Sequence, residues 1–189
     1  MGDVVLIGDS IRMGYQGKVW TELSGRTEIW SPQQNGGDSR RVAENLDAWA
    51  MARKPDVVHV NCGLHDLKKE FVTGTPQVPL DEYRENVSQI LQGLRDGISG
   101  TVIWAMTTPV NEVWHHERKG FDRFEADVKA YNDVAGEICG QLGIAVNDLY
   151  EVVMAAGRDA LLGSDGVHFE AAGYTLLGKA VADAIRRYV

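Results

Sequence analysis

Three short stretches carry side chains and backbone groups suited to nucleophilic chemistry. They are Gly8-Asp9-Ser10, Asn35-Gly36-Gly37-Asp38-Ser39, and Asp165-Gly166-Val167-His168. A serine hydroxyl is a weak nucleophile until a base takes its proton. An imidazole is suited to that task, and an acid three residues earlier on a turn can fold back to fix its tautomer and stabilise the imidazolium. Paired glycines leave backbone N–H groups free to face a ligand. Each stretch also has a plainer reading. Gly-Asp-Ser between a strand and a helix builds an N-cap, Asp38 or Ser39 can cap a following helix, and Asp and His are ordinary helix-start residues.

A fourth polar stretch, Asn61-Cys62-Gly63-Leu64-His65-Asp66, abruptly ends an apolar run. Of the remaining histidines, His59 alternates within an apolar strand and reads as a satisfied core residue. His115 and His116 are adjacent, so their side chains diverge, and no spaced partner is evident; no metal site is expected.

The elements that must position these residues follow from hydrophobic patterning. Short runs rich in Val and Ile at Val4 to Gly8, Glu28 to Ser31, Val57 to Cys62, Thr101 to Met106 and Ile144 to Val146 suit strands buried on both faces of a parallel sheet. Between them lie helical spacings. Val42, Leu46, Trp49 and Ala50 share one face, as do Tyr83, Val87, Ile90, Leu91 and Leu94, and Phe124 to Ile138 forms a third amphipathic stretch. A last helix runs from about Ala171 to Tyr188. Strand and helix alternate about five times, which predicts right-handed crossovers and an α/β fold, a three-layer α/β/α sandwich on a five-stranded parallel sheet. Ligands bind such sheets at the carboxyl ends of the strands, where the polar stretches fall. Two connections, Leu67 to Pro79 and Thr107 to Asp122, read as long loops.

The 189 residues fit one domain spanning 1–189. A formal charge of −8, with Arg40-Arg41, Lys68-Lys69 and Arg186-Arg187 as isolated pairs, argues against a nucleic-acid partner. No apolar run approaches a membrane span, and Val4 already opens a core strand rather than a signal peptide. A cytoplasmic location is expected, or export if a leader is removed from a longer precursor. Cys62 and Cys139 read as inert core thiols.

Taken in order, Gly8-Asp9-Ser10, Gly36-Gly37-Asp38-Ser39 and Asp165-Gly166-Val167-His168 resemble the blocks of the SGNH hydrolases, the GDSL-like lipase and esterase family. The resemblance implies the flavodoxin-like SGNH hydrolase fold and a serine esterase working through an acyl-enzyme. By the same resemblance Ser10 is the nucleophile, His168 the base and Asp165 its orienting acid. The N–H groups of Ser10 and Gly37 hold the oxyanion, and no cofactor is required. The family's third block usually reads Gly-x-Asn-Asp, with the asparagine as a further oxyanion donor; here it is Gly63-Leu64-His65-Asp66. His65 either donates in place of the amide, or points away and leaves the hole to two backbone donors aided by Arg40, or marks lost ester hydrolysis.

The implied substrate is a small soluble carboxylic ester, such as an O-acetyl group on a carbohydrate, in a pocket walled by Trp114 and Tyr15. Short-chain acyl ester or thioester hydrolysis is the alternative, and a noncatalytic ligand-binding role on the same fold is another. A nucleotide-binding fold lacks its signature, because Gly8-Asp9-Ser10 is neither a G-x-G-x-x-G nor a Walker loop. The oligomeric state is left open.

Overall fold

The computed structural model describes residues 2–189. The chain begins with β1 (Gly2–Ile7), α1 (Ser10–Glu22), β2 (Thr27–Trp30), α2 (Ser39–Trp49), β3 (Val57–Val60) and β4 (Lys69–Glu70). It continues through α3 (Leu80–Gly97), β5 (Thr101–Ala105), α4 (Glu112–Arg118), β6 (Phe121–Asp122) and α5 (Glu125–Leu142). It closes with β7 (Ala145–Asn147), α6 (Leu149–Ala155), α7 (Arg158–Leu161) and α8 (Ala171–Ile185).

Five strands form one parallel sheet in the order β2-β1-β3-β5-β7, as the Val- and Ile-rich runs predict. The central strand β3 is buried along its whole length, which explains its lack of polar alternation. Its one polar residue, His59, sits edge-on to Tyr15 with Nε2 3.1 Å from Asn147 Nδ2. Burial drives the His59 imidazole down to about 3, so it is a neutral core group. One helical layer holds α1, α6 and α8 and the other holds α2, α3 and α5, giving the expected sandwich. Tyr15 lies in the first layer's core and is fully buried, so it does not wall a substrate pocket. Cys62 and Cys139 are buried free thiols. Among the described residues no helix is long and apolar enough to cross a membrane.

Strand order reverses between β1 and β3, and the crevice above that switch point is where Ser10 and His65 emerge. The two long connections are more structured than predicted. Thr107 to Asp122 contains α4 and β6, and Leu67 to Pro79 contains β4. Helix α4 spans only seven residues, too few for a 3.6-residue period to declare itself, and Asn111 caps it by accepting the Trp114 N–H at 3.2 Å. Strands β4 and β6 pair antiparallel, Lys69 with Asp122 and Glu70 with Phe121. Two-residue strands have no periodicity, and their partners lie some fifty positions apart.

Candidate active site

The turn after β1 serves both readings of Gly8-Asp9-Ser10. Asp9 is the N-cap of α1, its carboxylate accepting the Ile11 N–H at 2.9 Å. Ser10 is therefore the first helical residue, and its N–H has no acceptor within the helix. The Gly8 carbonyl accepts the Gly36 N–H at 3.0 Å and both Nε and Nη2 of Arg12 at 3.3 Å. Arg12 Nη2 also donates to Gln34 O at 2.8 Å. The buried Arg12 thus fastens the Gly36-Gly37 loop to the Ser10 turn. A Cβ on Gly36 would stand 2.6 Å from Gly8 O, so this approach needs glycine.

From the opposite side the turn before α8 brings in His168. Ser10 Oγ and His168 Nε2 are 2.9 Å apart, and His168 Nδ1 is 2.6 Å from Asp165 Oδ2. An ionised carboxylate only accepts, so the ring proton sits on Nδ1 and Nε2 is left to accept from the Ser10 hydroxyl. Asp165 Oδ1 accepts the N–H groups of Val167 at 3.1 Å and His168 at 2.9 Å, which locks the acid to its own turn. Gly166 turns the chain at φ +71° against Asn111 O, which a Cβ would meet at 2.4 Å.

Helix α4 and its C-cap residue supply two further contacts. His115 Nδ1–H donates to Asp165 O at 3.2 Å, and Lys119 Nζ lies 3.0 Å from Asp165 Oδ2. Burial alone raises the Asp165 carboxyl. The His168 ring, the two backbone N–H groups and Lys119 outweigh it and hold the acid well below the usual carboxylate range.

The third side of the crevice holds the predicted oxyanion groups. Gly37 faces the same cleft as His65, a polar hollow of about 560 Å³ also bordered by Asn35, Arg41, Glu44 and Gln77. The Gly37 N–H is donated to Asn35 Oδ1 at 2.8 Å, an engagement that the glycine pair alone does not predict. Burial lowers the pKa of His65, against the opposing field of Asp9, so its imidazole is neutral near pH 7 and can donate from one nitrogen. Arg40 borders the same cleft, but its guanidinium is held bidentate by Glu82, and Nη1 donates to Gln77 O at 3.3 Å. Asp38 proves to be the α2 cap, accepting the Arg41 N–H at 3.0 Å. Beneath this loop the buried Asp66 accepts the Ser39 N–H at 2.9 Å, and loss of hydration raises its carboxyl to about 7 despite that bond.

Sequence reasoning therefore named Ser10, Gly37, His65, Asp165 and His168 at this crevice, and the structure brings them to one strand edge. It missed Arg12, Asp66, His115 and Lys119. His115 lies on α4, whereas Lys119 is its C-cap in extended backbone, so no helical spacing links the two in the sequence. His116 pairs with Asp122 at 2.7 Å, and no metal-binding group of side chains occurs among the described residues.

Comparison with known proteins gives a consistent result. The family model for the GDSL-like lipase/acylhydrolase family matches residues 6–176. A GDSL esterase/lipase of Arabidopsis thaliana, CPRD49, is 30% identical over 207 residues, covering 98% of this chain and 78% of the relative. Among solved structures, a lipase/acylhydrolase from Enterococcus faecalis superposes with a TM-score of 0.82 at 23% identity, covering 99% of this chain and 96% of that one. The acetylxylan esterase Axe2 from Geobacillus stearothermophilus superposes with a TM-score of 0.78 at 18% identity, covering 97% and 94%. The extent of the family match, together with a relative aligned along nearly the whole chain, places this protein in the GDSL-like lipase/acylhydrolase family, as a carboxylic ester hydrolase.

Proposed function

We propose that the protein is a serine esterase that removes small acyl groups, acetyl foremost, from carbohydrates through an acyl-enzyme on Ser10. The observation that carries this reading is the unbroken hydrogen-bonded path from Ser10 Oγ through His168 to Asp165. As Ser10 Oγ adds to the ester carbonyl, its proton passes to His168 Nε2, and Asp165 stabilises the resulting imidazolium. Return of that proton to the alcohol oxygen expels the leaving group and leaves Ser10 acylated. Water then gives its proton to the same nitrogen, adds to the acyl carbon, and releases the acid with Ser10 restored.

Negative charge on the tetrahedral oxygen meets the Ser10 N–H, at a helix N-terminus, and the Gly37 N–H once the oxyanion replaces Asn35 Oδ1. Neutral His65 is the third donor, a role in which one lost contact typically lowers the rate about 10²–10³-fold. The polar cleft beside Gly37 suits the hydroxyl groups of a sugar better than a long acyl chain. The likeness in fold to an acetylxylan esterase agrees with that choice.

The test is Ser10→Ala, assayed on 4-nitrophenyl acetate and on acetylated xylo-oligosaccharides, alongside fluorophosphonate labelling. Hydrolysis is expected to vanish in the variant, and labelling to fall on Ser10 and to need His168. Undiminished turnover by Ser10→Ala refutes the assignment.

A further inference from the structure

Arg123 is a charge that the fold buries without an opposite charge against it. It follows β6 directly and is 6% exposed. Among the described residues no carboxylate oxygen comes within 4.0 Å of its nitrogens. Its Nε donates to Leu64 O at 2.6 Å, which occupies one of five guanidinium N–H groups. Cζ stands 4.9 Å from the centroid of the Phe121 ring, over which Lys68 Nζ also stands at 4.4 Å.

A neutral donor could hold the Leu64 carbonyl without the penalty of an unpaired charge in a buried place, which is among the most destabilising features a fold can keep. Such a charge is kept where carbonyls take up its N–H groups, as they do for Arg12, or where a site uses it, and Arg123 has only one carbonyl. Burial lowers Arg123 only to about 10, so it stays protonated at neutral pH.

Its position is that of a site residue. Leu64 adjoins His65 in the segment leaving β3, and the carboxylates of Asp9 on the Ser10 turn and Asp165 on the His168 turn act at longer range to favour the charged form of Arg123. The Phe121 ring beneath it lies 5.3 Å from the His115 ring, and His115 holds Asp165 O, so Arg123 lies among the groups that ring Ser10 and His168. In a protein of net charge −8, three cations gather here. Lys68 is matched by Glu70 at 2.8 Å and Lys119 by Asp165 at 3.0 Å; Arg123 has no such match.

We infer that Arg123 is a specificity-determining residue, whose unused N–H groups receive a carboxylate carried by the ester substrate. The inference rests on the esterase reading of Ser10 and His168. A planar guanidinium with Nε spent on Leu64 O keeps a pair of N–H groups whose fork matches a single carboxylate. The carboxylate sits on the acyl half, as in a monoester of a dicarboxylic acid, or on the alcohol half, as in an acetylated uronic acid.

Two substrate pairs separate these sources: 4-nitrophenyl glutarate monoester against 4-nitrophenyl butyrate, and O-acetyl galacturonic acid against O-acetyl galactose. In one pair kcat/KM is expected to favour the carboxylate-bearing member by about tenfold or more, the range of a charge-assisted hydrogen bond. That preference collapses in Arg123→Met and is partly kept in Arg123→Lys. Should Arg123→Met fail to fold, Arg123→Gln, which keeps a donor for Leu64 O, reads the same ratio.

If Arg123 serves only to hold the Leu64 carbonyl, the variants lower both members of each pair alike, and that result overturns the inference, as does the absence of any preference in the wild type. If the wild type turns over no ester, the esterase reading fails instead. The anion site is then read by calorimetric binding of glutarate to the wild type, expected to be lost in Arg123→Met; no binding to the wild type overturns it.

Discussion

Replacing Asp66 with asparagine removes a buried charge while keeping an acceptor for the Ser39 N–H. In the folded chain Oδ1 holds that N–H at 2.9 Å, Oδ2 is buried without a partner, and lost hydration lifts the carboxyl from 3.8 to about 7. At 1.36 kcal/mol for each pH unit, such a rise amounts to about 4 kcal/mol of folding free energy. The folded-state value lies above the unfolded one, so the native state binds the proton more tightly. The stability that this contributes is complete below the unfolded value near 4 and is lost as pH rises through 7. The Asp66→Asn variant is neutral throughout and escapes that loss.

The variant's stability relative to wild type should therefore improve by roughly 3–4 kcal/mol between pH 4 and pH 8. Its amide nitrogen takes the place of Oδ2 and finds no acceptor, which costs about 1–3 kcal/mol at every pH. The pH dependence of the difference is thus the informative quantity, rather than its absolute value. Urea unfolding of both proteins at pH 4, 5, 6, 7 and 8 measures it. Parallel curves, with a constant offset across that range, would show that Asp66 is already ionised in the native state and refute the argument. Ser39 follows Gly37 by two residues, so the same ionisation acts directly beneath the proposed oxyanion loop.

Two further outcomes are expected. His65→Ala lowers kcat about 10²–10³-fold with little change in KM, whereas His65→Asn retains much of the activity; steady-state kinetics that leave both variants near wild type would make His65 a bystander. Arg40→Ala, which breaks a surface pair with Glu82, leaves stability close to that of the wild type and kcat within about twofold of it. A large loss of kcat in that variant would return Arg40 to the oxyanion role that its sequence neighbourhood first offered.

The site also shows why buried polar groups gather where chemistry is done. Asp9, Arg12, Asp66, His115 and Arg123 are all buried within a few residues of the loops that meet Ser10. Arg12 is tied off by carbonyls, and Asp9 Oδ1 accepts at a helix N-terminus while its Oδ2 is buried without a partner, so both help to fix loop positions. His115 and Lys119 do the same for Asp165, from α4 and the residue that caps it, within a connection read as a loop.

The linear chain by itself determined the five central strands, because a parallel strand covered on both faces must be a short continuous apolar run, and Val57-Val58-His59-Val60 is one. It also determined where chemistry would be found, since the carboxyl ends of those strands carry Gly8-Asp9-Ser10, Gly36-Gly37 and His65. Short elements escaped it. Strands β4 and β6 are two residues each and exist only because their connections meet.

Directions of side chains and donors were likewise decided only in three dimensions. Gly37 N–H turned to Asn35, Arg40 to Glu82, and Tyr15 into the core. Periodicity and turn chemistry are local properties that a few neighbours dictate. Which donor meets which acceptor, and which charge is left unmatched, depends on groups far apart in the chain, 158 positions for Ser10 and His168, and only packing brings those together.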